Sequence, residues 1–154
     1  MNDLSTIDYL AAHGIKPSVQ RMAIMDYLMA HCTHPTVEEI YSALSPTMPT
    51  LSKTTVYNTL KLLTDQGAVR MLSIDERFTC YDTHTEPHAH FLCRKCGQVY
   101  DLPLPTGPIK VEAADSEGHD VEEIHYYYKG VCKQCRPAGC STYNACEEVT
   151  NKTL

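Results

Sequence analysis

Two Cys-x-x-Cys pairs, Cys93-Arg-Lys-Cys96 and Cys132-Lys-Gln-Cys135, stand thirty-five residues apart in a chain of 154, and a fold must either bring them together or leave both idle. The short loop of each pair lets two thiolates face one ion at about 2.3 Å, and four thiolates in tetrahedral array make a closed structural zinc site. A redox dithiol would need only one pair, in a thioredoxin-like strand-helix-strand setting that the flanking sequence lacks. Two disulfides would need an oxidising compartment. The start Met1-Asn-Asp-Leu-Ser5 has neither the basic region nor the apolar run of a signal peptide, and no stretch reaches the roughly eighteen apolar residues of a membrane span. The expectation is a cytoplasmic protein with no membrane partner. Cys32, Cys80, Cys140 and Cys146 are left over, and each reads as a small buried hydrophobe or an idle thiol.

A second kind of ligand is interleaved with the first. His88 and His90 flank Ala89, and alternate residues of a strand put both imidazoles on one face. His-x-His alone is weak evidence, but Asp82 lies six residues before His88, Asp101 eleven after His90, and His34 stands further upstream. Nitrogen and oxygen donors without thiolate favour an exchangeable, redox-capable divalent metal over a buried structural zinc.

The length allows one ordinary domain or two small ones, and the change of pattern along the chain favours two. Ser5 to His13 reads as a short helix ended by Gly14. Ser18 caps a second, to about His31, with Met22, Ile24, Met25, Tyr27 and Leu28 as its apolar surface. Thr36-Val-Glu-Glu39 is a capping box that opens a helix to Leu44. Ser52 caps a fourth, Lys53 to Gln66, ended by Gly67. In that helix Val56, Leu60 and Leu63 form one apolar stripe, while Lys53, Thr54, Tyr57, Asn58 and Lys61 cluster opposite. Polar and cationic groups near the start of a helix that follows a short helix and turn suit a major groove, although a solvated face looks the same. Ala68–Ser73 and Arg77–Tyr81, joined at Ile74-Asp-Glu76, read as a hairpin, so the segment 1–82 reads as a winged helix-turn-helix whose Arg70 and Arg77 could meet phosphates.

Residues 83–87 form a polar hinge. From 88 to 136 the pattern is of short strands, Ala89–Leu92, Gln98–Leu102 and Val121–Val131, with at most a short helix at 109–114, and 137–154 is an unpatterned tail. The fold class is therefore α+β, a winged helix followed by a small α/β domain. The net charge of −6 is awkward for a nucleic-acid binder. Residues 1–80 carry only −2 of it, however, and 81–154 carry −4, beside the metal ligands.

The set Ser52-x-x-Thr55-Val56-Tyr57, His88-x-His90 and two Cys-x-x-Cys pairs, in this order, resembles the ferric uptake regulator family of metal-dependent repressors, from about Leu10 to Cys135. The resemblance implies a homodimer, with the winged helix on an inverted-repeat operator of double-stranded DNA and the second domain dimerising. It adds Thr55 to the DNA-facing set. It is closest to the peroxide-responsive (PerR) branch, which implies a regulatory iron or manganese held by His34, Asp82, His88, His90 and Asp101. Peroxide would then act through bound iron on His34 or His88. The aspartate at 82 is the branch's mark, where iron sensors tend to carry glutamate. Relatives use a histidine just upstream of the strand leading to the second Cys-x-x-Cys for a third metal site, whereas here Glu123-Ile124-His125 precedes Tyr126 with His125 displaced by about one position, so no third site is expected. Pro103 to Pro108 weakens the helix expected over the dimer sheet, and Asn58 replaces an arginine common in relatives. An iron- or zinc-availability sensor on the same scaffold is the alternative. A small metallohydrolase around His34, His88 and His90 is the remote one, with no general base or catalytic motif in view.

Overall fold

A computed structural model of the chain describes residues 5–105 and 117–137. The expected helix at 109–114, the tail from 138 onward, and Cys140 and Cys146 lie outside the described residues. The chain divides into two compact units, Met1–His88 and Ala89–Leu154.

The first unit is built from helices that begin where a hydroxyl can satisfy their leading N–H groups. In α1 (Thr6–Ala12) the Ser5 side chain accepts from the Asp8 N–H, and in α2 (Val19–Ala30) Ser18 accepts from Arg21. Both halves of the capping box open α3 (Val37–Leu44): Glu39 N–H donates to Thr36 Oγ1 at 3.2 Å, and Thr36 N–H to Glu39 Oε2 at 2.7 Å. In α4 (Lys53–Asp65) the Ser52 hydroxyl accepts from Thr55 N–H at 3.1 Å. Gly67 follows at φ +72°, a left-handed conformation that costs glycine no Cβ clash.

Leu10, Ile24, Met25, Leu28, Ile40, Val56, Leu60 and Leu63 from these four helices meet in one core. Each fully buried large side chain contributes roughly 1.5–3 kcal/mol, enough in sum to fix which face of α4 turns inward. The outward face is then the polar one. Two short strands follow, β1 (Arg70–Leu72) and β2 (Cys80–Asp82), antiparallel, with Arg70 opposite Asp82 and Leu72 opposite Cys80. They are shorter than the sequence pattern suggests and the connection is longer. The reason is Asp75: its carboxylate accepts the Arg77 N–H at 2.9 Å and the Arg77 guanidinium at 3.0 and 2.8 Å. These bonds close a local turn that competes with strand pairing.

The second unit is a three-stranded sheet in the order β4-β3-β5 (Val99–Leu102, Ala89–Cys93, Tyr126–Gly130). β3 runs antiparallel to β4, pairing His90 with Asp101, and parallel to β5, pairing His90 with Tyr127 and Cys93 with Gly130. As the central strand, β3 buries Ala89, His90, Leu92 and Cys93, so it lacks the alternation of a half-exposed strand. β5 covers less than the expected Val121–Val131. No described helix is long and apolar enough to cross a membrane.

Candidate metal centres and the exposed face of α4

The end of β3 and the start of the β4 connection form the first half of a thiol cluster. Gly97, at φ +76°, turns the chain back so that its N–H donates to the Cys93 carbonyl at 2.8 Å. The Cys93 N–H meanwhile donates to Gln98 at 2.9 Å. After β5 a matching turn has Cys135 N–H on the Cys132 carbonyl at 3.0 Å. The parallel β3–β5 register sets the two turns side by side, with Arg94 N–H donating to the Gly130 carbonyl at 2.7 Å. The four sulfurs of Cys93, Cys96, Cys132 and Cys135 lie within 4.8 Å of one another, and those of Cys96 and Cys132 are 3.9 Å apart. Four sulfurs each about 2.3 Å from a central zinc would be roughly 3.8 Å apart, so the cluster has the dimensions of a tetrahedral thiolate site.

Its electrostatics are arranged for anions. Backbone N–H groups of Cys132 and Cys96 point at the Cys93 sulfur, 3.3 and 3.5 Å away, and they lower the Cys93 thiol to about 6, the Cys132 N–H having the larger effect. The Tyr100 hydroxyl lies against the Cys132 sulfur, holding that thiol below its ordinary value, while its own pKa rises to about 12. Cys135 is pushed up to about 12, chiefly because its thiol donates to Cys132. The surroundings thus favour the thiolate at Cys93 and Cys132 and disfavour it at Cys96 and Cys135.

The second centre starts at Asp82 in the first unit, where β2 ends. Oδ1 accepts the N–H of His84 at 2.8 Å, a tight local turn that fixes the carboxylate. Oδ2 faces two imidazoles, His88 Nε2 at 3.0 Å and His34 Nε2 at 3.8 Å. His34 reaches this position from a left-handed backbone, φ +54°, that an L residue adopts only when its surroundings hold it there. The hold is the next residue: the Pro35 carbonyl accepts from Tyr81 N–H at 3.0 Å, binding the loop to β2.

His88 carries the most chemical information. Its Nδ1 is 2.7 Å from the Glu86 carbonyl, which can only accept, so that nitrogen carries the proton. In a neutral ring Nε2 is then a lone pair, facing the Oδ2 lone pairs of Asp82 at 3.0 Å. Two such groups repel unless a cation, either a proton or a metal, lies between them. Donors each about 2.1 Å from an ion sit roughly 3.0 Å apart across a right angle and 3.4 Å across a tetrahedral one, so metal donors fit these distances. In the second unit, taken by itself, the β3–β4 register brings His90 Nε2 to 3.4 Å from Asp101 Oδ1, and Tyr127 packs edge-on to the His90 ring.

Sequence reasoning gave no role to three residues here. They are His84, which anchors Asp82 and stacks on His88; Glu86, whose carbonyl sets the His88 tautomer; and Tyr100. The spacing His84-x-x-x-His88 was the available signal for the first.

On α4, Lys53, Thr54, Tyr57, Asn58 and Lys61 are exposed, Tyr57 by 54 %. Both lysines pair with acids of the same unit, Lys53 with Glu38 at 2.6 Å and Lys61 with Asp65 at 2.7 Å. Such exposed pairs are weak because water and salt screen them, so each can be given up to a phosphate. Thr55 serves the cap, its hydroxyl 2.9 Å from that of Ser52. The Arg77 guanidinium is held by Asp75, and Arg70 reaches the Glu86 carbonyl at 3.5 Å.

A family model described as "Ferric uptake regulator family" matches residues 12–129. The peroxide-responsive repressor PerR of Staphylococcus epidermidis is 37 % identical over 136 residues, covering 87 % of this chain and 90 % of that protein. The protein of the same name from Staphylococcus aureus strain Mu50 is 37 % identical over 132 residues, 85 % of this chain and 89 % of its own. Among solved structures, the ferric uptake regulator from Francisella tularensis with iron superposes at a TM-score of 0.64 with 24 % identity, over 80 % of this chain and 96 % of that one. A zinc-bound manganese uptake regulator superposes at 0.62 with 26 % identity, over 84 % and 99 %.

Proposed function

Since the chain belongs to the ferric uptake regulator family, we propose that it is a metal-dependent transcriptional repressor that senses hydrogen peroxide through oxidation of a histidine ligand. The observation that carries the proposal is the Asp82 carboxylate, with Oδ1 fixed by a backbone N–H and Oδ2 turned to His88 and His34 at distances that suit a shared cation. Support for the peroxide arm comes from the relatives, which are named peroxide-responsive repressors and match almost the whole chain.

In this reading Cys93, Cys96, Cys132 and Cys135 hold a structural zinc. His34, Asp82 and His88 of the first unit and His90 and Asp101 of the second together hold one ferrous or manganous ion. Ferrous iron held by these residues would supply the reducing power to split the peroxide O–O bond. The net change in the protein is one oxygen atom from hydrogen peroxide added at a ring carbon of His34 or His88, the remainder leaving as water. The Glu86 carbonyl keeps Nδ1 of His88 protonated and so directs Nε2 to the ion. An imidazole that has gained the oxygen would be a poorer ligand, weakening the hold of the site on the ion.

Because the ligands come from both units, a bound ion favours one arrangement of the first unit against the second, and in a dimer that selects the spacing of two α4 helices. Metal and operator then strengthen each other reciprocally. Thr54, Tyr57 and Asn58 face base edges, while Lys53, Lys61 and Arg70 contribute phosphate contacts after exchanging their present partners. Arg77 reaches phosphate only by leaving Asp75. The relatives are repressors, which leaves the hydrolase reading without support.

The test uses full-length protein with zinc in the cysteine site and an inverted-repeat duplex selected from a random pool by the manganese-loaded protein. Fluorescence anisotropy is expected to show binding that requires manganese and is lost in His88→Ala. Metal-independent binding would overturn the repressor mechanism. Asp82→Glu separates peroxide sensing from metal-availability sensing: the iron-loaded variant should bind DNA but respond weakly to peroxide. A parent-like response would remove the argument built on the aspartate.

A further inference from the structure

In the second unit the strand registers place Asp101 on one side of His90 and Tyr127 on the other, and residues paired directly across strands share one face of the sheet. The Tyr127 ring meets the His90 ring edge-on, with centroids 6.3 Å apart and planes inclined by 65°. The row continues beyond Tyr127. Its hydroxyl is 3.0 Å from Nδ1 of His125, and Nε2 of that imidazole is 2.7 Å from the Glu123 carboxylate. A carboxylate only accepts, so Nε2 carries the proton. In the neutral ring Nδ1 is then a lone pair, and the phenol donates to it.

Tyr127 needs no such chain in order to pack against His90. What the chain supplies is a base within hydrogen-bond reach of the phenolic proton. A phenol gives up an electron readily when its proton can leave in the same event, because the radical that still holds the proton is a very strong acid. His125 takes that proton across one hydrogen bond, and the Glu123 carboxylate offsets the positive charge the ring then carries. The His125 and Glu123 side chains are 31 % and 65 % exposed, so the proton passes on to water.

We propose that Tyr127 is a one-electron donor in the reaction of hydrogen peroxide with a ferrous ion at the regulatory site, in competition with oxygen addition to His34 or His88. This rests on the reading of His90 as a ligand of that ion. In the competing reaction hydrogen peroxide becomes two waters. It takes one electron from the ferrous ion, leaving it ferric, and one from the phenol, leaving a phenoxyl radical. One of the two protons comes from the phenol by way of His125 and the other from solvent. Peroxide consumed in this way adds no oxygen to the imidazoles, so Tyr127 sets how much must arrive before the ligands are modified.

The test uses full-length protein with zinc in the cysteine site, loaded anaerobically with ferrous iron and given one equivalent of hydrogen peroxide. Samples go to freeze-quench electron paramagnetic resonance and to peptide mass analysis. Wild type should show a phenoxyl signal whose hyperfine pattern changes when the protein is made with ring-deuterated tyrosine. Tyr127→Phe should lose the signal and carry added oxygen on a larger fraction of His34 and His88. His125→Phe keeps a ring beside Tyr127 without a proton acceptor, and should lose most of the signal with the same rise in histidine oxidation. A signal of wild-type size in either variant, or unchanged histidine oxidation in Tyr127→Phe, overturns the proposal.

Equilibrium dialysis with ferrous ion identifies a failure of the underlying reading. Both phenylalanine variants should bind the ion as wild type does; its loss from either makes Tyr127 part of the binding site and overturns its role as a donor. If His90→Ala binds the ion as tightly as wild type, the regulatory site is misassigned and the proposal falls with it. If His90→Ala loses the ion and wild type gains oxygen on histidine without a phenoxyl signal, the proposal alone falls.

Discussion

Replacing Cys96 by serine isolates the contribution of the thiol cluster to the second unit. Cys96 is exposed, so the change removes one of the four clustered sulfurs without opening a cavity. The only large aliphatic side chain among the described buried residues of that unit is Leu92, and two of the others are the cysteines Cys93 and Cys132. Structural zinc in small thiolate sites contributes on the order of 10–16 kcal/mol to folding, so one ligand in four is worth roughly 2.5–4 kcal/mol. A unit of 66 residues has a total stability of about 3–10 kcal/mol.

Serine at 96 should therefore leave the second unit marginal at room temperature, and removing the ion with a chelator should unfold it. Amide proton–nitrogen NMR reads both units at once. Resonances of β3, β4 and β5 should collapse toward random-coil positions, while those of α1 to α4 stay dispersed. Dispersed second-unit resonances after complete chelation would refute the reasoning, since something other than a metal would then hold the sheet.

Leu60 is fully buried in the α4 core, and Leu60→Ala should cost about 2.7–5 kcal/mol, measured as a fall in the urea midpoint with unchanged slope. A loss below about 1 kcal/mol would contradict the packing described. Burial raises the Cys80 thiol to about 11, whereas Cys32 is exposed. At pH 8 the thiolate at Cys80 is then about a hundred times scarcer than at an ordinary thiol of pKa 9, and alkylation with mass analysis should label Cys32 and spare Cys80 until the pH nears 11. Lys61→Ala should weaken binding to all duplexes alike and reduce the salt slope by about one; a sequence-selective effect would make Lys61 a base-reading residue instead.

The helices were legible because each begins with a hydroxyl at the one position where it can cap: Ser5, Ser18, Thr36 and Ser52 all accept from the third residue onward. Strand lengths were less so. The carboxylate of Asp75 diverts Arg77 into a turn, an interaction between side chain and backbone that hydrophobic periodicity does not register. The parallel pairing of β3 with β5 was hidden too, because more than thirty residues separate the strands and only the closing geometry of the two Cys-x-x-Cys turns hints at it. Cysteine spacing announced the thiol cluster directly. The nitrogen and oxygen donors could be named by type, but the tautomer of His88 and the orientation of Asp82 depend on backbone groups at Glu86 and His84, which have no side-chain signature. Thr55, which the family resemblance added to the DNA-facing set, also has a part in the cap that the sequence did not reveal, its hydroxyl lying 2.9 Å from that of Ser52.

The most direct measurement loads the zinc-bound protein anaerobically with ferrous iron, adds one equivalent of hydrogen peroxide to its complex with the selected inverted-repeat duplex, and follows anisotropy before peptide mass analysis. The account predicts release of DNA together with a gain of one oxygen atom on the peptide containing His34 or His88, and neither change with manganese in place of iron. Release of DNA with both histidines unmodified, or modification without release, would contradict it.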